Sequence, residues 1–114
     1  MTTFKPLEIS DISIITQMMQ DFYAIDNYPM NVEVAKTLFQ EFITNEHLGK
    51  SWLIYSENEI VGYIILTFIF SFEYGGKIAF VDELFIKETA RGKGFGKEAI
   101  QFIQQEVPKL SLKL

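Results

Sequence analysis

Arg91-Gly92-Lys93-Gly94-Phe95-Gly96-Lys97 holds three of the seven glycines of this 114-residue chain and its only arginine. An apolar run, Ile78 to Ile86, precedes it, and a segment with helical spacing, from about Gly96 to Val107, follows it. Glycine lets a backbone turn sharply and come close to a ligand. The first N–H groups of a helix have no intrahelical partner, and the helix dipole adds partial positive charge there. A strand, a glycine-rich turn and a helix N-terminus therefore make a cradle for phosphate. Arg91, Lys93 and Lys97 add full charges, and arginine can grip a phosphate through two parallel hydrogen bonds. A tight strand-to-helix turn alone would account for some of the glycines, but one turn rarely needs three glycines and three cations.

Two familiar phosphate motifs do not fit. A Walker loop needs G-x-x-x-x-G-K followed by Ser or Thr; Gly92 stands too close to Gly96, and Lys97 is followed by Glu98. A dinucleotide fingerprint needs G-x-G-x-x-G at the opening of a domain. Here the third glycine, Gly96, comes one position early, and the motif lies near the end of the chain.

Working outward, the periodicity alternates. Phe4 to Ile9 reads as a short strand, with Pro6 marking an edge. Ser10 is placed to cap a helix from Asp11 to about Tyr23, whose Ile12, Ile15, Met19 and Phe22 recur at helical spacing. Ala24 to Met30 is a loop. Asn31 is placed to cap a second helix ending near Asn45, with Val34, Leu38 and Phe42 down one face. Then the period shortens. Ser51 to Tyr55 and Ile60 to Phe72 read as strands joined by a turn, and Glu73 to Lys77 is a hairpin loop before the strand Ile78 to Ile86. Leu112 to Leu114 reads as the start of one more strand. The order β-α-α-β-β-β-loop-α-(β) predicts a single α/β domain over 1–114, with a mixed, mostly antiparallel sheet flanked by helices.

Composition narrows the function. Ten basic against fifteen acidic side chains give a net charge of −5, and 48% of residues are hydrophobic. So apolar a chain builds a core and is not disordered. An acidic balance argues against nucleic acid, which needs a basic patch, and suits small cationic substrates. With no Cys and only one His, His47, no thiolate nucleophile and no Cys- or His-rich metal site is expected. The most apolar stretch, Ile60 to Phe72, is shorter than the roughly 18 residues that a membrane helix needs. The N-terminus shows no basic-then-apolar leader. The expectation is a cytoplasmic protein that uses no metal and engages neither membrane nor nucleic acid.

R-x-x-G-x-G between an apolar strand and a helix, here Arg91, Gly94 and Gly96, resembles the acetyl-CoA-binding motif of the GCN5-related N-acetyltransferases, the GNAT superfamily. The order of elements before it matches too, over essentially the whole chain. From Gly62, GYIILTFIFSFEYGGKIAFVDELFIKETARGKGFGKEAI looks most like the diamine (spermidine/spermine) type of that superfamily. The resemblance implies acetyl-CoA as co-substrate. Its pyrophosphate would lie on the amides of Arg91, Gly92, Lys93, Gly94, Phe95, Gly96 and Lys97. Its pantetheine arm would pair with Leu84, Phe85 and Ile86. Asp82 and Glu83 would help deprotonate the acceptor, a small polyamine-like primary amine that attacks directly in a ternary complex. Asp26 and Tyr28 match a region that often faces the acceptor, although an ordinary turn would explain them equally.

Strand alternation sends Asp82 and Glu83 to opposite faces, so one of them lines the cleft unless a bulge intervenes. Their alternative reading is a structural ion pair with a lysine, because an unpaired buried charge is costly. The family pattern also continues past the last helix, with a further strand and a tyrosine that protonates the departing thiolate. No residue here matches that general acid. Two expectations follow: a C-terminally truncated fold that binds CoA or a partner without catalysis is the alternative function, and the open sheet edge favours a homodimer.

Overall fold

The computed structural model describes residues 1–110 and Leu112. Four antiparallel strands, β1 (Thr2–Pro6), β2 (Gly49–Ser56), β3 (Glu59–Ser71) and β4 (Gly76–Ile86), lie side by side in chain order. Helices α1 (Ile12–Ile25) and α2 (Val32–Thr44) connect β1 to β2, and α3 (Phe95–Glu106) follows β4. The element order is the expected one. β1 starts earlier than expected and β4 takes in Gly76, boundary shifts of the ordinary size.

Caps explain the helix limits. The Asn31 side chain accepts the Val34 N–H at 3.1 Å and opens α2. Ser10 does not cap α1. A single 3-10 turn, Ile9–Asp11, leads into the helix instead, and the Asp11 carboxylate reaches back to the Glu8 N–H at 3.0 Å. The β2–β3 turn places Glu57 and Asn58 both at positive φ, which matches the right-handed twist of the flanking strands.

The sheet separates two cores. On one face Trp52, Ile54, Ile64 and Leu66 pack against Ala99, Ile103 and Val107 of the α3 segment. On the other, Leu53, Tyr63, Ile65 and Phe85 pack against Ile15 and Met19 of α1 and Phe39 of α2. Gly62 is required by the sheet itself: a Cβ there would lie 2.0 Å from the Phe85 carbonyl oxygen.

The inner face of α2 differs from the expected one. Ala35 and Phe39 are its buried residues, whereas Val34 and Leu38 are 54% and 58% exposed. Its apolar stripe is wider than the core beneath it, and the excess borders a cleft. Leu112 is buried, with its N–H directed to the Val107 carbonyl. The rest of the strand expected at 112–114 lies outside the described residues.

Candidate active site

β4 carries a β-bulge. Glu83 pairs with Ile65, yet Val81 pairs with Leu66, so Asp82 is an extra residue in the ladder. The consequence is chemical. Asp82 and Glu83 do not divide between the two faces; both line one cleft of about 380 Å³ between the sheet and helices α1 and α2. The bulge also resets the alternation, so that Ala79 joins the α3-side core while Phe85 stays on the α1 side.

Glu83 is held from two directions. The Tyr63 hydroxyl donates to its Oε1 at 2.7 Å, and the Tyr23 hydroxyl donates to its Oε2. Burial first, then the Glu83 carboxylate, raises both phenols above the ordinary tyrosine range, so both remain protonated donors. The ion pairs among the described residues involve other acids, so a lysine partner for either carboxylate is not what the fold provides. Asp82 is exposed and open to the cleft.

Sequence reasoning missed Tyr23 and Tyr63. A tyrosine inside an apolar strand was a usable signal for Tyr63, because a buried phenol needs a partner. Tyr23 carried none, since its bond to Glu83 spans 60 residues.

Asp26 ends α1 and is exposed, and Tyr28 is exposed with its ring tilted against that of Tyr23 at 6.3 Å. Neither lines the cleft. Pro29, Met30 and Asn31 from the same connection do.

Among the described residues, β4 is an edge strand of the sheet. The Lys87 N–H points to β3, bonding the Val61 carbonyl at 2.8 Å. Alternation therefore turns the backbone groups of Leu84 and Ile86 to the open edge. The Ile86 carbonyl accepts from Arg91 Nε at 3.0 Å, and the guanidinium lies over the Phe85 ring. That ring stands 5.6 Å from Tyr63, which links the glycine loop to the carboxylate. Gly92 and Gly94 have φ of +78° and +87°, with open space where a side chain would begin. Gly94 is the N-cap of α3 and has no side chain with which to cap it.

A strand that carries two acids facing a cleft and ends in an arginine-glycine loop at a bare helix N-terminus offers a place suited to phosphate beside groups able to move a proton. The model of the acetyltransferase (GNAT) family matches residues 14–114. The chain belongs to that family, whose members generally transfer acetyl groups from acetyl-CoA, and is an acyltransferase by class.

Solved structures agree on the fold. An integron cassette protein from the mobile metagenome of Cole Harbour Salt Marsh is 35% identical with a TM-score of 0.91, the match covering 96% of this chain and 72% of that one. A possible acetyltransferase from Clostridium difficile 630 is 15% identical with a TM-score of 0.84, covering 95% and 72%. A predicted acetyltransferase with acetyl-CoA from Clostridium acetobutylicum is 16% identical with a TM-score of 0.82, covering 98% and 77%. A search of curated proteins finds no match. Among the described residues, no helix is long and apolar enough to cross a membrane.

Proposed function

We propose that this protein acetylates the primary amine of a small molecule, using acetyl-CoA, by direct attack without an acyl-enzyme. The observation that carries the reading is the bulge at Asp82. It brings two carboxylates into one cleft, on the same strand that ends at the glycine loop. The resemblance to the diamine-type enzymes suggests a polyamine-like acceptor.

The residues fit the co-substrate. The open space around Gly92 and Gly94 would be filled by any larger side chain, and their positive φ disfavours one. The amides of Gly94, Phe95, Gly96 and Lys97 at the start of α3 would hold the pyrophosphate, with Arg91, Gly92 and Lys93 around it. Leu84, Phe85 and Ile86 would pair with the pantetheine arm along the open edge, as an added strand. Acetyl-CoA supplies the activated thioester. A β4 backbone N–H would polarise its carbonyl.

On the acceptor side, Glu83, fixed by two phenols, anchors the incoming ammonium. Asp82, nearer to solvent, takes one proton from it directly or through water. The neutral nitrogen forms the C–N bond as the C–S bond breaks. Its second proton balances the departing thiolate, giving amide, thiol and one proton to solvent.

The test is thermal. Acetyl-CoA at 100 times its Kd should stabilise the fold by about 2.7 kcal/mol. Replacing Gly94 and Gly96 with Val should abolish that shift, and a retained shift would overturn the assignment of the loop. CoA bound with no amine consumed would favour a binding protein of the same fold instead. We also propose that a second copy covers the hairpin end of β3 and β4, where Phe70, Phe72, Phe80 and Val81 are exposed. Light scattering on the eluted protein checks the mass.

A further inference from the structure

The walls of the acceptor cleft differ in chemistry. The sheet wall presents Asp82, Glu83 and Thr67, with Tyr23 beside them. The facing walls are Met30, Val34, Leu38 and Phe39, together with Met19 and Pro29. Among the described residues, the only acids lining the cleft are Asp82 and Glu83, neighbours on one strand, and no basic side chain lines it. Positive charge can therefore be received at one end only. Val34 and Leu38 stay exposed along the part of the α2 stripe that the core does not cover.

We infer that the acceptor is a primary amine with a single positive charge on an apolar body, an alkylamine or arylalkylamine. Its ammonium is held at Asp82 and Glu83, and its hydrocarbon lies on Met30, Val34 and Leu38. This deepens the acetyl-transfer reading and rests on it. It also departs from the polyamine-like acceptor that the sequence resemblance suggests. The second ammonium of a diamine would lie along the half-exposed Val34 and Leu38, where the described lining offers it no counter-charge, and it would give up part of its hydration for nothing in return. A methyl group in that place gains from the same surroundings, about 0.8 kcal/mol per buried methylene.

The discriminating pair is hexylamine and hexamethylenediamine, which share a six-carbon chain and differ by one terminal ammonium group. With the full-length protein and saturating acetyl-CoA, hexylamine should show at least tenfold higher kcat/KM. Along a series of linear monoamines, kcat/KM should rise about fourfold per methylene until the cleft is full. Leu38→Glu changes an exposed position and places a carboxylate opposite the first two; it should narrow or invert the preference. Equal or better use of the diamine by the wild-type protein would overturn the inference while leaving acetyl transfer intact. Failure to consume either amine would count against acetyl transfer. Calorimetric binding of the two amines then still decides the inference: tighter hexylamine supports it, and equal, reversed or absent binding overturns it.

Discussion

The two faces of the sheet are built to different standards. The α3 face is closed at its centre, where Trp52, Ile54, Ile64, Leu66, Ala99 and Ile103 are almost wholly withdrawn from water, although a cleft of about 600 Å³ opens at its margin beside Phe68, Leu110 and Leu112. The α1–α2 face begins the same way around Ile15, Leu53 and Tyr63, but it opens toward the bulge into a cleft that holds carboxylates and phenols and leaves apolar helix residues exposed. The centre of one face is given to packing, whereas the other holds the candidate acid pair. The strand they share, β4, changes its allegiance at Asp82.

The sharpest way to break this contrast is truncation on each side. Ile103→Ala at the closed centre of the α3 face should cost about 2–5 kcal/mol of stability. Leu38→Ala on the cleft wall should stay within about 0.5 kcal/mol, as expected of an exposed position. Urea unfolding of the two variants reads the difference, and similar midpoints would show that the cleft wall is core after all.

Next comes the acid pair. Asp82→Asn should lower turnover about 100-fold near neutral pH, the scale of a lost general base, whereas Glu83→Gln, which removes the anchor, should chiefly raise the KM for the amine. With Asp82→Asn the pH optimum should move upward, because a missing base matters less when more amine is already deprotonated. Turnover and KM like those of the wild type in both variants would make the pair structural.

A third effect is alkaline. The phenols of Tyr23 and Tyr63 are raised in the folded protein, so folding favours their protonated form. Below about pH 10, the ordinary tyrosine value, both the folded and unfolded states keep these protons and the stabilisation is complete. Above it the unfolded chain ionises first, and stability falls with a slope of about 1.4 kcal/mol per pH unit from Tyr63 alone. Tyr63→Phe should flatten that slope, measured as the urea midpoint between pH 9 and 11.

The smallest effect sharpens the picture of the α1 packing. The Thr16 hydroxyl is buried and finds no hydrogen-bond partner among the described residues. Thr16→Val keeps the shape and removes the unmet group, so it should raise stability by about 1 kcal/mol in thermal unfolding.

The element order, the Asn31 cap, the hairpins and the glycine loop were legible in the amino-acid sequence, because each rests on local chemistry: spacing, a capping side chain, or glycine at a turn. The family was legible for the same reason, since its phosphate loop is one contiguous stretch from Arg91 to Lys97. The site was half legible. Asp82 and Glu83 stood out as acids inside an apolar run. Their common orientation did not, because Ile78-Ala79-Phe80-Val81 is apolar throughout and shows no alternation from which a bulge could be read. The α2 stripe gave apolar positions at the right period, but only the placement of the sheet beneath it decided that Phe39 is core and Leu38 is cleft wall. Tyr23 and Tyr63 reach Glu83 from 60 and 20 residues away. Sequence by itself determined which local structures form and where the glycine loop falls between strand and helix. Tertiary structure alone decided which way the carboxylates point and what holds them, because register and long-range hydrogen bonds arise only when separate segments pack together.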